Sequence, residues 1–187
     1  MARESKFSQV TIGPRKSSEY GTPLDFFKKL NRIFKFAFDP CAFPGNRLGM
    51  EYYCTKDTNG LGPDWDWNTF INPPFGTKKG EDIRAWIQKM QKESNTYPSV
   101  FYVMLLPARI ESNWFQELIF NDPYGLIYAV RGRLKFYNPE TNKNNDPHPI
   151  GSILYIKGYD ITIDMVVELA NTIPGLFLRG ERFDKKV

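Results

Sequence analysis

Thr69-Phe70-Ile71-Asn72-Pro73-Pro74-Phe75-Gly76 is the stretch on which the fold turns. Three apolar or β-branched residues read as a short buried strand, and Asn72-Pro73-Pro74 stops it. Each proline fixes φ and removes a backbone donor, so the strand cannot continue. The same design stands upstream, where Phe36-Ala37-Phe38 runs into Asp39-Pro40-Cys41-Ala42. Between and after these strands lie helical patterns. Thr22-Pro23 opens the first, with Thr22 expected as N-cap and Pro23 as first helical residue. Leu24, Phe27, Leu30 and Phe34 follow at helical spacing. A second helix is expected near residues 81–93, with Ile83, Trp86, Ile87 and Met90 inward. Residues 51–54 and 100–106 read as strands, 111–121 as a helix, and 126–130 and 134–137 as strand or hairpin. Residues 152–157 read as a strand, and 162–172 as a closing helix ended by Pro174-Gly175. Strands alternating with helices, then strands clustering, predict an α/β fold with a mostly parallel sheet and an antiparallel C-terminal addition. Residues 1–19 lack either period and read as a basic, flexible arm; residues 20–187 read as one domain.

In such sheets ligands bind outside the carboxyl ends of the strands, which singles out the loops at Asp39 and Asn72. Asn72-Pro73-Pro74-Phe75 is a stiff, donor-poor turn. It offers the Asn72 amide oxygen and the carbonyls of Asn72 and Pro73 as acceptors, with the Phe75 ring beside them. That set suits an exocyclic amine on a ring: both amine hydrogens are accepted while the ring stacks on Phe75. The nitrogen lone pair is then free to point at an electrophile, and no general base of matched pKa is needed. The plain alternative is a proline-rich turn after a strand.

Composition removes competing chemistries. The chain has 187 residues, 41% hydrophobic and 16% aromatic, enough apolar surface for one folded domain. The single histidine, His148, lies between two prolines and is expected to be a turn residue. One histidine cannot build a His-rich metal site, and two cysteines, Cys41 and Cys54, cannot build a four-cysteine one. They are expected to be small buried hydrophobes. No apolar run approaches the ~20 residues of a spanning helix, and the N-terminus has no signal-peptide core. A cytoplasmic, metal-free protein without membrane contact is expected. The net charge is +4. Basic residues cluster at 22–37, 76–92 and 131–143, flanking an acidic stretch at 57–68 with Trp65 and Trp67. Such clusters suit phosphate contacts or are plain solvated surface. Trp65 and Trp67 suit stacking on a base or cofactor ring, or core packing.

The order Tyr20-Gly21-Thr22-Pro23, Phe38-Asp39-Pro40-Cys41-Ala42, Gly60-Leu61 with Trp65, and Asn72-Pro73-Pro74-Phe75-Gly76 resembles the small phage-type DNA adenine-N6 methyltransferases, the phage Dam family. Leu105-Leu106-Pro107-Ala108-Arg109 with Trp114-Phe115, and Arg131-Gly132-Arg133-Leu134-Lys135-Phe136, extend the likeness, which spans residues 20–157. The resemblance implies a single-domain Rossmann-like methyltransferase sheet and S-adenosylmethionine as cofactor. The substrate it implies is double-stranded DNA, methylated on the N6 amine of a flipped-out adenine.

The resemblance also assigns roles. Asn72, Pro73, Pro74 and Phe75 would be catalytic. Tyr20, Thr22 and Pro23 would meet the methionine part of the cofactor, where a helix N-terminus suits a carboxylate on electrostatic grounds alone. Asp39, Pro40 and Cys41 would lie beneath the cofactor, and Asp57 or Asn59 near its adenine amine. Lys78, Lys79, Arg109, Arg131, Arg133 and Lys135 would contact DNA; the last three basic positions alternate along an expected strand and would share one face. A monomer is the simplest assembly, in the bacterial host cytoplasm if the chain is phage-encoded. Methylation of cytosine N4, an RNA adenine or a protein glutamine, and an inactive nucleic-acid-binding relative, stand as alternatives.

Overall fold

The computed structural model describes residues 21–42, 45–75, 82–138, 143–144 and 147–178. Strands β1 (Phe38–Asp39), β2 (Tyr52–Tyr53), β3 (Thr69–Ile71), β4 (Tyr102–Pro107), β5 (Leu126–Val130), β8 (Ser152–Lys157) and β9 (Gly175–Leu178) form a seven-stranded sheet in the order β2-β1-β3-β4-β8-β5-β9. Strands β6 (Tyr137–Asn138) and β7 (Lys143–Asn144) pair as a small separate ribbon. The pairs β2–β1, β1–β3 and β3–β4 are parallel. The pairs β4–β8, β8–β5 and β5–β9 are antiparallel. The fold is mixed α/β as expected, but the antiparallel share is half of the neighbour pairs rather than a single addition.

Alternation along the central strands makes two cores, because successive side chains face opposite sides of a sheet. Val103, Leu105, Leu154 and Ile156 face helix α1 (Leu24–Phe34) and helix α3 (Ile163–Thr172). Tyr102, Met104, Leu106, Ile153 and Tyr155 face helix α2 (Ile83–Thr96) and a short π-wound segment, Phe115–Phe120. Fully burying one such side chain contributes about 1.5–3 kcal/mol, so the two faces together supply the main drive to fold. Helix α2 is capped by Asp82, whose side chain accepts from Arg84 N–H at 2.9 Å. At the edge away from the Asn72 loop, Lys157 pairs with Asp122 at 2.5 Å, and the Tyr155 hydroxyl donates to the same carboxylate.

Three local expectations change. Pro23, not Thr22, is the N-cap of α1: it is extended (φ −60°, ψ 126°), and no side chain caps the helix. Its carbonyl accepts from Phe27 N–H at 3.0 Å, while Thr22 is buried. Residues 131–136 are not strand: Arg131 N–H makes the last bond in the β5–β9 register, to the Pro174 carbonyl at 2.8 Å, and Gly132 at φ 83° then turns the chain away. Arg131, Arg133 and Lys135 are exposed but share no strand face. Pro174-Gly175 does not merely end α3; it leads into β9, and a Cβ on Gly175 would lie 2.4 Å from the Ala129 carbonyl oxygen. No helix among the described residues is long and apolar enough to cross a membrane.

Candidate active site

The chain passes from β1 outward to β2, then crosses back over β1 to β3 and on to β4. The order therefore reverses between β1 and β3. At such a switch point the loops leaving the two carboxyl ends diverge and open a crevice. The two loops singled out from sequence are the ones that leave these ends: Asp39-Pro40-Cys41-Ala42 and Asn72-Pro73-Pro74-Phe75. Pro73 is buried, while Asn72, Pro74 and Phe75 are half-buried, with Phe75 packed on the edge of the α2-side core. The loops touch, because the Asn72 backbone N–H donates to the Cys41 thiol. Cys41 thus sits between the two loops as well as filling space.

Asp39 is 4% exposed and accepts from Cys41 N–H at 3.0 Å. Burial pushes its carboxyl up to about 7, against the hydrogen bonds from Cys41 that favour the charged form. The Cys41 thiol is also held up, first by burial and then by the Asp39 charge. A buried, underpaired carboxyl at the crevice favours a cationic ligand there, since a cation restores what desolvation removes.

The loop after β2 closes the other flank. Cys54 N–H donates to the Asp39 carbonyl at 2.9 Å, and Ala42 N–H to the Cys54 carbonyl at 2.8 Å. Asp57 and Asn59 are both exposed in this loop, Asn59 in the left-handed region at φ 47°. Gly60 is required by contact: a Cβ there would stand 1.6 Å from the Pro40 carbonyl oxygen. Trp65 braces this packing. It is fully buried, its Nε1–H donates to the Gly60 carbonyl at 2.9 Å, and its backbone N–H donates to buried Glu93 at 2.9 Å. Glu93 is paired with Lys89 at 2.8 Å. Of the two readings of the tryptophans, Trp65 is core; Trp67 is 45% exposed and stacks on Tyr52 at 4.8 Å.

Strand direction decides what else shares this rim. Strands β3 and β4 run together, β8 runs against them, and β5 runs with them again. The carboxyl ends of β4 and β5 therefore open on the same rim as Asn72. Arg109 follows β4, and Arg131, Arg133 and Lys135 follow β5. Arg109 is half-buried, its carbonyl accepting from the Ser112 hydroxyl at 2.6 Å. Tyr20, Lys78 and Lys79 lie outside the described residues. His148 is a turn residue, its Nδ1 3.1 Å from the Ile150 carbonyl and its ring edge-on to Phe136.

Thr22 and Pro23 stand at the N-terminus of α1, whose first N–H groups lack a side-chain cap. Sequence reasoning missed Arg47. Its Nη1 donates to the Thr22 carbonyl at 2.9 Å, and its guanidinium lies 3.9 Å from the centre of the Tyr137 ring. Nothing in the local pattern of residues 45–49 signals this, because both partners are distant in sequence.

The donor set fits S-adenosylmethionine in two respects: an uncapped helix N-terminus suits its carboxylate, and buried Asp39 suits its positive charge. Among the described residues, no group of three or more His, Cys, Asp or Glu could hold a metal ion.

A curated protein of Escherichia phage T1, named DNA N-6-adenine-methyltransferase, is 28% identical to this chain over 153 residues. The alignment covers 73% of this chain and 61% of that protein, so the chain spans under two thirds of its relative's length. A sequence model for the DNA N-6-adenine-methyltransferase (Dam) family matches residues 12–170, a span that takes in both loops of the crevice, the α1 N-terminus and the basic rim. With most of its length and every segment of the crevice inside that match, the chain belongs to the DNA N-6-adenine-methyltransferase (Dam) family.

Proposed function

We propose that this protein transfers a methyl group from S-adenosylmethionine to the N6 amine of an adenine in double-stranded DNA, on a Rossmann-like methyltransferase sheet. The observation that carries the reading is the pairing of the Asp39 and Asn72 loops across the switch point, joined by the Cys41–Asn72 contact. Family membership supports the same chemistry.

S-adenosylmethionine, when bound, supplies an electrophilic methyl group on a sulfonium. The chain's own residues do the rest. The α1 N-terminus at Thr22-Pro23 receives a carboxylate, and Asp39 receives positive charge. Asp57 or Asn59 reaches an adenine amine from the β2 side. The target base leaves the duplex, since its amine is inaccessible inside the stack. Unstacking costs a few kcal/mol, and a flat ring against Phe75 returns about 1–3 kcal/mol. Asn72 and the Pro73 carbonyl accept the two amine hydrogens and aim the nitrogen. These bonds strengthen as positive charge grows on nitrogen, so they act on the transition state more than on the bound base. Pro73 and Pro74 keep the acceptors fixed beforehand, which reduces reorganisation during the reaction. Arg109, Arg131, Arg133 and Lys135 offer phosphate contacts on the same rim, with Lys78 and Lys79 as further candidates.

Labelled methyl transfer to a DNA duplex, followed by nucleoside analysis, tests the reading; N6-methyladenine is expected. Asn72→Ala is expected to lose about a hundredfold or more in single-turnover rate, as loss of one transition-state hydrogen bond does, while cofactor binding survives. Label in cytosine, in RNA or in protein, or near-normal turnover by Asn72→Ala, would overturn the assignment.

A further inference from the structure

Arg47 joins three segments that the sequence keeps apart. It stands in the loop after β1. Its Nη1 holds the Thr22 carbonyl at 2.9 Å, and its guanidinium covers the Tyr137 ring at 3.9 Å. Gly21 and Tyr137 are themselves bridged by two backbone hydrogen bonds, of 3.0 and 2.8 Å. A Cβ on Gly21 would come within 3.2 Å of the Tyr137 ring, so the approach is close. The guanidinium has no ion-pair partner among the described residues; its contacts are a carbonyl and an aromatic face. Thr22 leads into the uncapped N-terminus of α1, and Tyr137 ends the exposed basic stretch 131–135.

We propose that Arg47 is a positioning residue that couples the cofactor side of the site to the DNA side: by holding Thr22 and Tyr137 together, it makes the α1 N-terminus and the 131–137 segment settle as one unit. This rests on the function proposed above. A ligand that orders residues 21–23 then also orders the segment that meets DNA, and DNA orders residues 21–23 in return, because such coupling is reciprocal. Arginine suits the task better than lysine. Its planar fork donates to a carbonyl while its face lies on a ring, whereas an ammonium is a point charge.

The test measures DNA affinity by fluorescence anisotropy with and without S-adenosylhomocysteine, and takes the ratio. In wild-type protein the ratio is expected to be about fivefold or more, the lower range of allosteric couplings. Arg47→Met keeps the stem and removes the charge; its ratio is expected to fall to within about twofold of unity. Arg47→Lys should restore part of it. Tyr137→Phe keeps the aromatic face and should keep the ratio, whereas Tyr137→Leu should lose it. A purely structural role would lower thermal stability and both affinities together while leaving the ratio unchanged. Slower exchange of the Gly21 and Tyr137 amides in wild type than in Arg47→Met is expected as well. An unchanged ratio in Arg47→Met, or a wild-type ratio of one, overturns the proposal. Methyl transfer separates this from the functional reading. Wild-type N6-methyladenine formation with a ratio insensitive to Arg47 discards the coupling alone. An Arg47-dependent ratio without methyl transfer discards the activity alone.

Discussion

Replacing Asp39 with asparagine should flatten the pH dependence of stability between about pH 4 and pH 7. The Asp39 carboxyl is pushed up to about 7 from the ordinary 3.8, chiefly by burial. In the unfolded chain it ionises first, so over this window the native state binds more protons than the unfolded one. Stability then falls as pH rises, and levels off above 7. The gap is about three pH units at ~1.36 kcal/mol each, or about 4 kcal/mol as an order of magnitude. Asparagine keeps an oxygen to accept the Cys41 N–H, now 3.0 Å from Asp39 Oδ1, but never ionises. Asp39→Asn should therefore match wild type near pH 4 and exceed it by up to about 4 kcal/mol near pH 8. Urea unfolding of both proteins at pH 4, 5, 6, 7 and 8 gives the comparison. The difference between the two curves isolates Asp39 from the other carboxylates. Parallel curves across the window would refute the reasoning, and so would an asparagine variant less stable than wild type at pH 8. A gain in stability accompanied by loss of cofactor binding would mark the carboxyl as kept for function at the expense of folding.

Cofactor affinity follows from the same group. If S-adenosylmethionine brings positive charge to Asp39, its affinity should rise with pH towards 7, by at most about tenfold per unit. S-adenosylhomocysteine, without the sulfonium, should show a weaker rise, and equal pH profiles in calorimetry would place the charge elsewhere. Gly60→Ala should destabilise the chain and abolish cofactor binding, because the new Cβ would overlap the Pro40 carbonyl oxygen at 1.6 Å; a normally stable, binding-competent variant would contradict that packing. Trp65→Phe removes the bond to the Gly60 carbonyl and should cost about 1 kcal/mol or more in chemical denaturation, since a buried acceptor is left unpaired. Neutralising Arg131, Arg133 and Lys135 together should weaken DNA binding and reduce the slope of log affinity against log salt by about 0.9 per lost phosphate contact. An unchanged slope would make these residues plain surface.

Much of the candidate site was legible before the fold. The strand stops at Asp39-Pro40 and Asn72-Pro73 are local events, since proline acts through its own φ and missing N–H. The strong central strands at 102–107 and 152–157 are local too, because burial on both faces demands near-continuous apolar runs. The helix over 83–96 announced itself by its apolar period, expected near 81–93. Two readings failed, and a third stayed open until the packing decided it. Arg131, Gly132 and Arg133 alternate like a strand, yet the ladder to β9 ends with the Arg131–Pro174 bond and Gly132 turns the chain. Pro174-Gly175 reads as an ending, yet the neighbouring edge of β5 recruits it into β9. Trp65 reads equally as ligand platform or core, and only Glu93, Gly60 and Tyr102 around it settle the matter.

The sequence by itself determined the candidate set: an amide, two prolines and a phenyl ring in a row, an aspartate before a proline, and a single histidine in the whole chain. Those follow from side-chain type and from backbone constraints that reach no further than a neighbour. The tertiary structure alone decided that β1 and β3 are adjacent and parallel, so that the Asp39 and Asn72 loops meet at Cys41. It alone raised the Asp39 carboxyl, because desolvation depends on what surrounds a group in space and not on what precedes it in sequence. It alone brought Arg47 onto Thr22 and Tyr137. Contacts between segments so far apart are set by strand order and direction, which the packing of the whole sheet determines at once.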